Sequence, residues 1–140
     1  MAGWHFMLQY AVLGIISYTI YKNADHMTGK ELQEQNSGAA IIDQAFNYTA
    51  QHLSEPINIG NLVNSIGTSR TTLNRVFKDI AQVLPMQALT YYKIFEALSL
   101  LQKGHSLKET AQSLGYSSSC HLSSTFKKVL GKSPRDYLNA

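Results

Sequence analysis

Cysteine is almost absent from this 140-residue chain, where Cys120 stands alone. No intrachain disulfide can form, and a cysteine-based metal cluster is excluded. A reducing, cytoplasmic setting fits that usage. The five histidines (His5, His26, His52, His105, His121) show no metal-ligand spacing, so no zinc site and no cofactor are expected. Charge is sparse, at 15% of residues, and basic residues are scarce in the first half. Residues 6–21 carry no charge at all. That run falls short of the roughly 20 residues needed to span a bilayer as a helix. No Lys or Arg precedes it, so the basic region of a signal peptide is missing too. Packing on the rest of the chain or self-association through residues 6–21 is therefore expected, with membrane association the alternative. A catalytic pair is also lacking. Cys120 and His121 are neighbours, and adjacent helical residues point about 100° apart. They do not make a nucleophile and its base, and no enzyme activity is expected.

What is present is a repeat. Ile59 to Ile80 and Leu107 to Leu130 align with Ile59 on Leu107, Val63 on Ala111, Ile66 on Leu114 and Gly67 on Gly115. After one extra serine in the second copy, Leu73 meets Leu122 and Phe77-Lys78 meets Phe126-Lys127. Each copy reads as a short apolar-periodic helix, a glycine, a polar turn and a more basic second helix. That is the sequence form of a helix-turn-helix, a device that places a helix in the DNA major groove.

Charge supports this reading. Residues 1–66 carry two Lys/Arg against five acids, whereas residues 67–140 carry ten against four. The basic half holds both recognition-helix candidates, as a phosphate-binding face requires.

No stretch alternates with a two-residue period, so residues 39–140 read as all-α. Ile41, Ile42, Ala45, Phe46, Thr49 and Leu53 form a helical stripe that stops before Pro56. Thr28 with Glu31 makes a capping box for a short earlier helix, and Asn36-Ser37-Gly38 reads as a linker. Asn58 caps the helix of Ile59, Leu62, Val63 and Ile66, which Gly67 ends. Ser69 caps the next helix, with Leu73, Val76, Phe77 and Ile80 inward. Pro85 opens a long helix over residues 86–103, whose buried stripe is Leu89, Tyr92, Ile94, Ala97, Leu98 and Leu101. Ser106 caps the helix that ends at Gly115. Ser117 or Ser118 opens the last long helix, with Leu122, Phe126, Val129 and Leu130 inward. Gly131 closes it, and Ser133-Pro134 starts a short final helix. Tyr91, Tyr92 and Phe95 read as packing residues rather than stacking platforms for bases. The expected layout is an N-terminal segment over 1–38 and a binding domain over 39–140. In that domain helix-turn-helix units near 58–80 and 107–130 flank the long helix.

The segment LGYSSSCHLSSTFKKVLGKSPRDYL, Leu114 to Leu138, resembles the DNA-binding domain of the AraC/XylS family of bacterial transcription regulators. KIFEALSLL, Lys93 to Leu101, looks like that family's linker-helix motif, with Lys93 where arginine is commoner. The resemblance covers residues 39–140. It implies two helix-turn-helix subdomains joined by a linker helix, sequence-specific binding to double-stranded promoter DNA, and regulation of transcription, as activator or repressor, with RNA polymerase as a candidate partner. It places the chain among short, stand-alone members without a sensor domain, for which no small-molecule effector is expected. Gln82 departs from the family's usual glycine after the first recognition helix, and Ala88 from a common aromatic.

The resemblance carries the base-reading role to Thr71, Asn74 and Arg75, with Arg70 suited to phosphate at the helix start. The chemistry agrees. Arg75 can donate two parallel hydrogen bonds to guanine, and Asn74 can pair with adenine. The bland alternative for Arg75 is a phosphate contact or an (i, i+4) ion pair with Asp79. In the second helix His121 is the base-reading candidate, against a solvent-facing polar role. Ser118, Ser119, Ser123 and Ser124 can touch phosphate or base with little discrimination. Lys127, Lys128 and Lys132 suit phosphate, against a merely solvated face. The competing function class is an interaction protein whose apolar N-terminus binds a partner or a membrane, with DNA binding secondary.

Overall fold

The computed structural model describes residues 29–139, and every regular element among them is helical. The chain divides into two compact units. Residues 29–51 and 57–89 build the first, and residues 52–56 and 90–139 the second.

The first unit begins with α1, Gly29–Gln51. Helix α2, Ile59–Ile66, is started by Asn58, whose side chain accepts the Asn61 N–H at 3.0 Å. It stops at Gly67, which takes the left-handed conformation with φ 71°. Helix α3, Arg70–Val76, is capped by Ser69, whose Oγ accepts the Thr72 N–H at 3.1 Å and donates to Thr72 Oγ1 at 2.9 Å. It runs on into a π-helical turn, Phe77–Ala81. Ile42 and Ala45 of α1 pack with Leu62, Val63, Leu73, Val76, Phe77 and Ile80, closed by Ala88 and Leu89. The Phe46 ring tilts onto Phe77 with centroids 6.2 Å apart. Burying a side chain of this size contributes about 1.5–3 kcal/mol, so these few residues hold α3 to its unit.

One expectation changes here. Asn36, Ser37 and Gly38 are not a linker, because α1 runs through them and starts ten residues before Ala39. Gly38 is buried, and a Cβ there would sit 2.8 Å from Ile80 Cδ1 and 3.4 Å from Val76 Cγ1. A turn-like composition is overridden by packing, since the glycine lets α1 approach the α3 element closely. The apolar run 6–21 and the Thr28 cap lie outside the described residues.

Helix α4, Pro85–Gln102, starts with Pro85 at its first position and gives its later turns to the second unit. Helix α5, Leu107–Ser113, is opened by a capping box in which Ser106 Oγ accepts the Glu109 N–H at 3.1 Å. Helix α6, Ser119–Leu130, is capped by Ser118, which settles the choice between Ser117 and Ser118. Helix α7, Pro134–Leu138, is capped by Ser133. Ile94, Ala97, Leu98 and Leu101 of α4 pack with Ala111, Leu114, Leu122 and Phe126. Tyr137 meets Phe126 edge-on at 5.8 Å. In α4, Tyr92 is only half-buried, whereas Ala88, Lys93 and Phe95 are buried.

The repeat is longer than its sequence signal. Gln82 and Gly131 both end their helices in the left-handed conformation, with φ 59° and 82°. Pro85 and Pro134 then open the following helices at the same spacing.

Candidate nucleic-acid interface

In the first unit, α3 turns Leu73, Val76 and Phe77 inward. Thr71, Asn74, Arg75 and Lys78, at i, i+3, i+4 and i+7, share the opposite face and are exposed, as is Arg70. Thr72 is half-buried and tied to the Ser69 cap. Among the described residues Arg75 and Asp79 form no ion pair, so the guanidinium fork stays available to a ligand. An arginine and an asparagine on one exposed face form the donor and acceptor set that distinguishes base edges in a major groove.

In the second unit, α6 turns Leu122 and Phe126 inward and leaves His121, Ser124, Lys127 and Lys128 exposed, with Ser119 and Ser123 half-buried. Lys132, beyond Gly131, is also exposed. The Ser118 hydroxyl is engaged, accepting the His121 N–H at 3.0 Å. With Leu73 set on Leu122 and Phe77 on Phe126, the outward face of α3 maps to Cys120, Ser123, Ser124 and Lys127. Cys120, which sequence reasoning weighed only as a nucleophile, therefore stands where Thr71 stands. It is exposed. His121 maps to Thr72 instead. Its Nδ1 lies 3.3 Å from Ser117 Oγ, and its ring packs edge-on to Tyr116 at 5.2 Å. The imidazole is thus anchored to the turn before α6. Only the helix register, not residue chemistry, separates Cys120 from His121 in the sequence. Lys128 maps to Asp79, so the second unit carries a cation where the first carries an acid.

Sequence reasoning missed the role of Lys93. It is buried on α4, and its Nζ donates to the carbonyl oxygens of Leu53 at 3.2 Å and Leu114 at 2.8 Å, and also to that of Glu55. Burial pulls its pKa below the usual lysine value, with nearby Glu55 opposing that shift. Burial pushes the Tyr116 phenol up to about 12. Among the described residues no group of His, Cys, Asp and Glu side chains could hold a metal ion, and no helix is long and apolar enough to cross a membrane.

Comparison with known proteins places these observations. The model of a helix-turn-helix domain family matches residues 62–140, more than half of the chain. The transcriptional regulatory protein HptR of Staphylococcus aureus is 29% identical over 96 residues, which cover 69% of this chain and 38% of that protein. An uncharacterized response regulatory protein of Staphylococcus epidermidis matches to the same extent. The chain thus spans about two-fifths of the length of these curated relatives. Among solved structures, an AraC-type transcriptional regulator from Chromobacterium violaceum shares the fold, with TM-score 0.65, 24% identity and coverage of 72% of this chain and 91% of that one. The C-terminal domain of AraT, a response regulator from Geobacillus stearothermophilus, gives TM-score 0.64 and 26% identity, covering 71% of this chain and 84% of that one. The DNA-binding domain of AdpA, a global transcriptional factor solved in complex with a target DNA, gives 0.61 and 28%, covering 69% and 87%.

Proposed function

The chain belongs to the AraC-type helix-turn-helix family of DNA-binding transcription regulators, and on that premise we propose that it binds an asymmetric promoter site with two units of unequal stringency. The observation that carries this reading is the contrast between two equivalent exposed faces. Thr71, Asn74 and Arg75 can read base edges, whereas Ser123 and Ser124 discriminate little and chiefly hold phosphate, with Lys78 and Lys127 alike in the two units. Arg70, Ser119, Lys128 and Lys132 add phosphate contacts at the edges of the two faces. His121, anchored by Ser117 and Tyr116 yet exposed, is placed to meet a base or phosphate. The two recognition helices would read adjacent major grooves of that site. The competing reading, an interaction protein with secondary DNA binding, finds no support in the family match or the relatives.

In this account the protein acts in the cytoplasm on promoter DNA and influences transcription through RNA polymerase. Self-association through residues 6–21 would add avidity without new DNA contacts. The reading is tested by titrating the chain onto labelled duplex at several salt concentrations against random-sequence competitor. Binding should weaken steeply with salt, because each neutralised phosphate releases counterions. Salt-independent binding, or no duplex preferred over competitor, would contradict the proposal.

A further inference from the structure

Within the second unit the turn that launches the recognition helix is clamped, and the clamp comes from outside the helix-turn-helix itself. Leu114 ends α5, and four residues later Ser118 caps α6. The Leu114 carbonyl accepts Lys93 Nζ at 2.8 Å. The next residue, Gly115, lies so close to the chain at Glu55 and Pro56 that a Cβ would sit 2.6 Å from the Glu55 carbonyl carbon. The same ammonium donates to the Leu53 and Glu55 carbonyls, so its three donors meet three acceptors. The acceptors are not scattered through the core. All sit on the turn or on the segment facing it.

The first unit has no such device at this place. Gly67 is the counterpart of Gly115, and nothing lies within 4 Å of a Cβ built on it. The clamp is therefore an addition to the shared motif, not part of what a helix-turn-helix needs to fold. A buried, uncompensated charge is costly, and here one donor goes to the turn that aims α6 and the other two to the segment packed against that turn. Downstream of the clamp, the Tyr116 N–H reaches back to the Ala111 carbonyl at 2.9 Å and fixes the remaining residues before the cap.

We propose that Lys93 is a positioning residue for DNA reading by the second unit: with the Leu53–Pro56 segment it holds the Leu114–Gly115 turn and so sets the pose of α6. This rests on the DNA-binding reading above. A consequence is that the second reading head depends on chain that precedes the first helix-turn-helix in sequence.

The test uses the full chain and two variants, Lys93→Met and Lys93→Arg. The DNA probe is a duplex selected from a random pool by the wild-type chain, with single base pairs then changed along its length. Lys93→Met should lose roughly tenfold in discrimination at the second half-site, the scale of one charge-assisted hydrogen bond, and leave the first half-site unaltered. Lys93→Arg should retain discrimination in both. Equal losses in both half-sites, or none in either, would overturn the proposal. A second readout needs no DNA. Amide hydrogen exchange in Lys93→Met should accelerate at Tyr116, bonded to Ala111, but not at Thr68, which makes the equivalent bond to Val63 in the first unit. Equal acceleration at both amides would mean general destabilisation and would sink the clamp. If the wild-type chain selects no duplex, the DNA-binding reading fails while the exchange data still decide whether the clamp exists.

Discussion

The two helix-turn-helix units agree inside and differ outside. Each has a polar N-cap on its first helix, Asn58 and Ser106, and a serine cap on its second, Ser69 and Ser118. Each buries a leucine and a phenylalanine from the recognition helix to full exclusion of water, Leu73 with Phe77 and Leu122 with Phe126. Outward, Asn74 and Arg75 of the first become Ser123 and Ser124 in the second, and Asp79 becomes Lys128. Folding constrains the inner face in both copies, so the inner residues match. The outer face is free to diverge, and it diverges from an asparagine and an arginine in one copy to two serines in the other. The turns diverge as well, with Gly67 open and Gly115 wedged against Glu55 and Pro56.

The turns offer the sharpest way to break this comparison. Both glycines have positive φ, 71° and 74°. Gly67→Ala should cost about 1 kcal/mol, from left-handed strain alone. Gly115→Ala adds a backbone clash and should cost about 2–4 kcal/mol. Urea melts of the two variants measure the difference, and equal costs would remove the clamp's structural basis. The outer faces come next. Arg75→Ala should weaken specific binding by about 1–3 kcal/mol and relax one base pair, while Ser124→Ala at the equivalent position should change little. Competition binding with single-base-pair variants checks both.

Much of this was legible in the sequence, and what was not has identifiable causes. Caps and glycine stops act locally, so Asn58, Gly67, Ser69, Ser106 and Gly131 announced the helix boundaries. Three features depended on distant partners. Gly38 reads as a linker until Ile80 and Val76 are placed beside it. Lys93 reads only as a motif position where arginine is commoner until the Leu53, Glu55 and Leu114 carbonyls are placed around it. Cys120 joins His121 as an exposed residue of α6 once the helix register is fixed by Leu122 and Phe126.

Smaller effects sharpen the comparison further. Gln82 and Gly131 end the two recognition helices in the same left-handed conformation, but only one is a glycine. Gln82→Gly should therefore stabilise the protein by about 0.5–1 kcal/mol, and Gly131→Ala should destabilise it by a similar amount, both read from thermal melts. Alkaline pH separates the turns, because Tyr116 follows Gly115 where Thr68 follows Gly67. The Tyr116 pKa is raised by burial from 10.0 to about 12. The unfolded chain gives up that proton first, so the stability it represents is complete below pH 10 and is lost as pH rises toward 12. Lys93, whose pKa is lowered from 10.5, acts in the opposite sense, its contribution growing as pH climbs to that value. Tyr116→Phe should flatten the alkaline loss in a pH series of denaturant melts.

The central claim is that one unit specifies sequence and the other mainly holds DNA. Its most direct test is selection of bound duplexes from a random pool, followed by sequencing, with the wild-type chain and with Arg75→Ala. The account predicts an asymmetric site, with one strict half and one degenerate half about one helical turn away, and predicts that Arg75→Ala erodes the strict half. Two equally strict halves, or a strict half that survives Arg75→Ala unchanged, would contradict it.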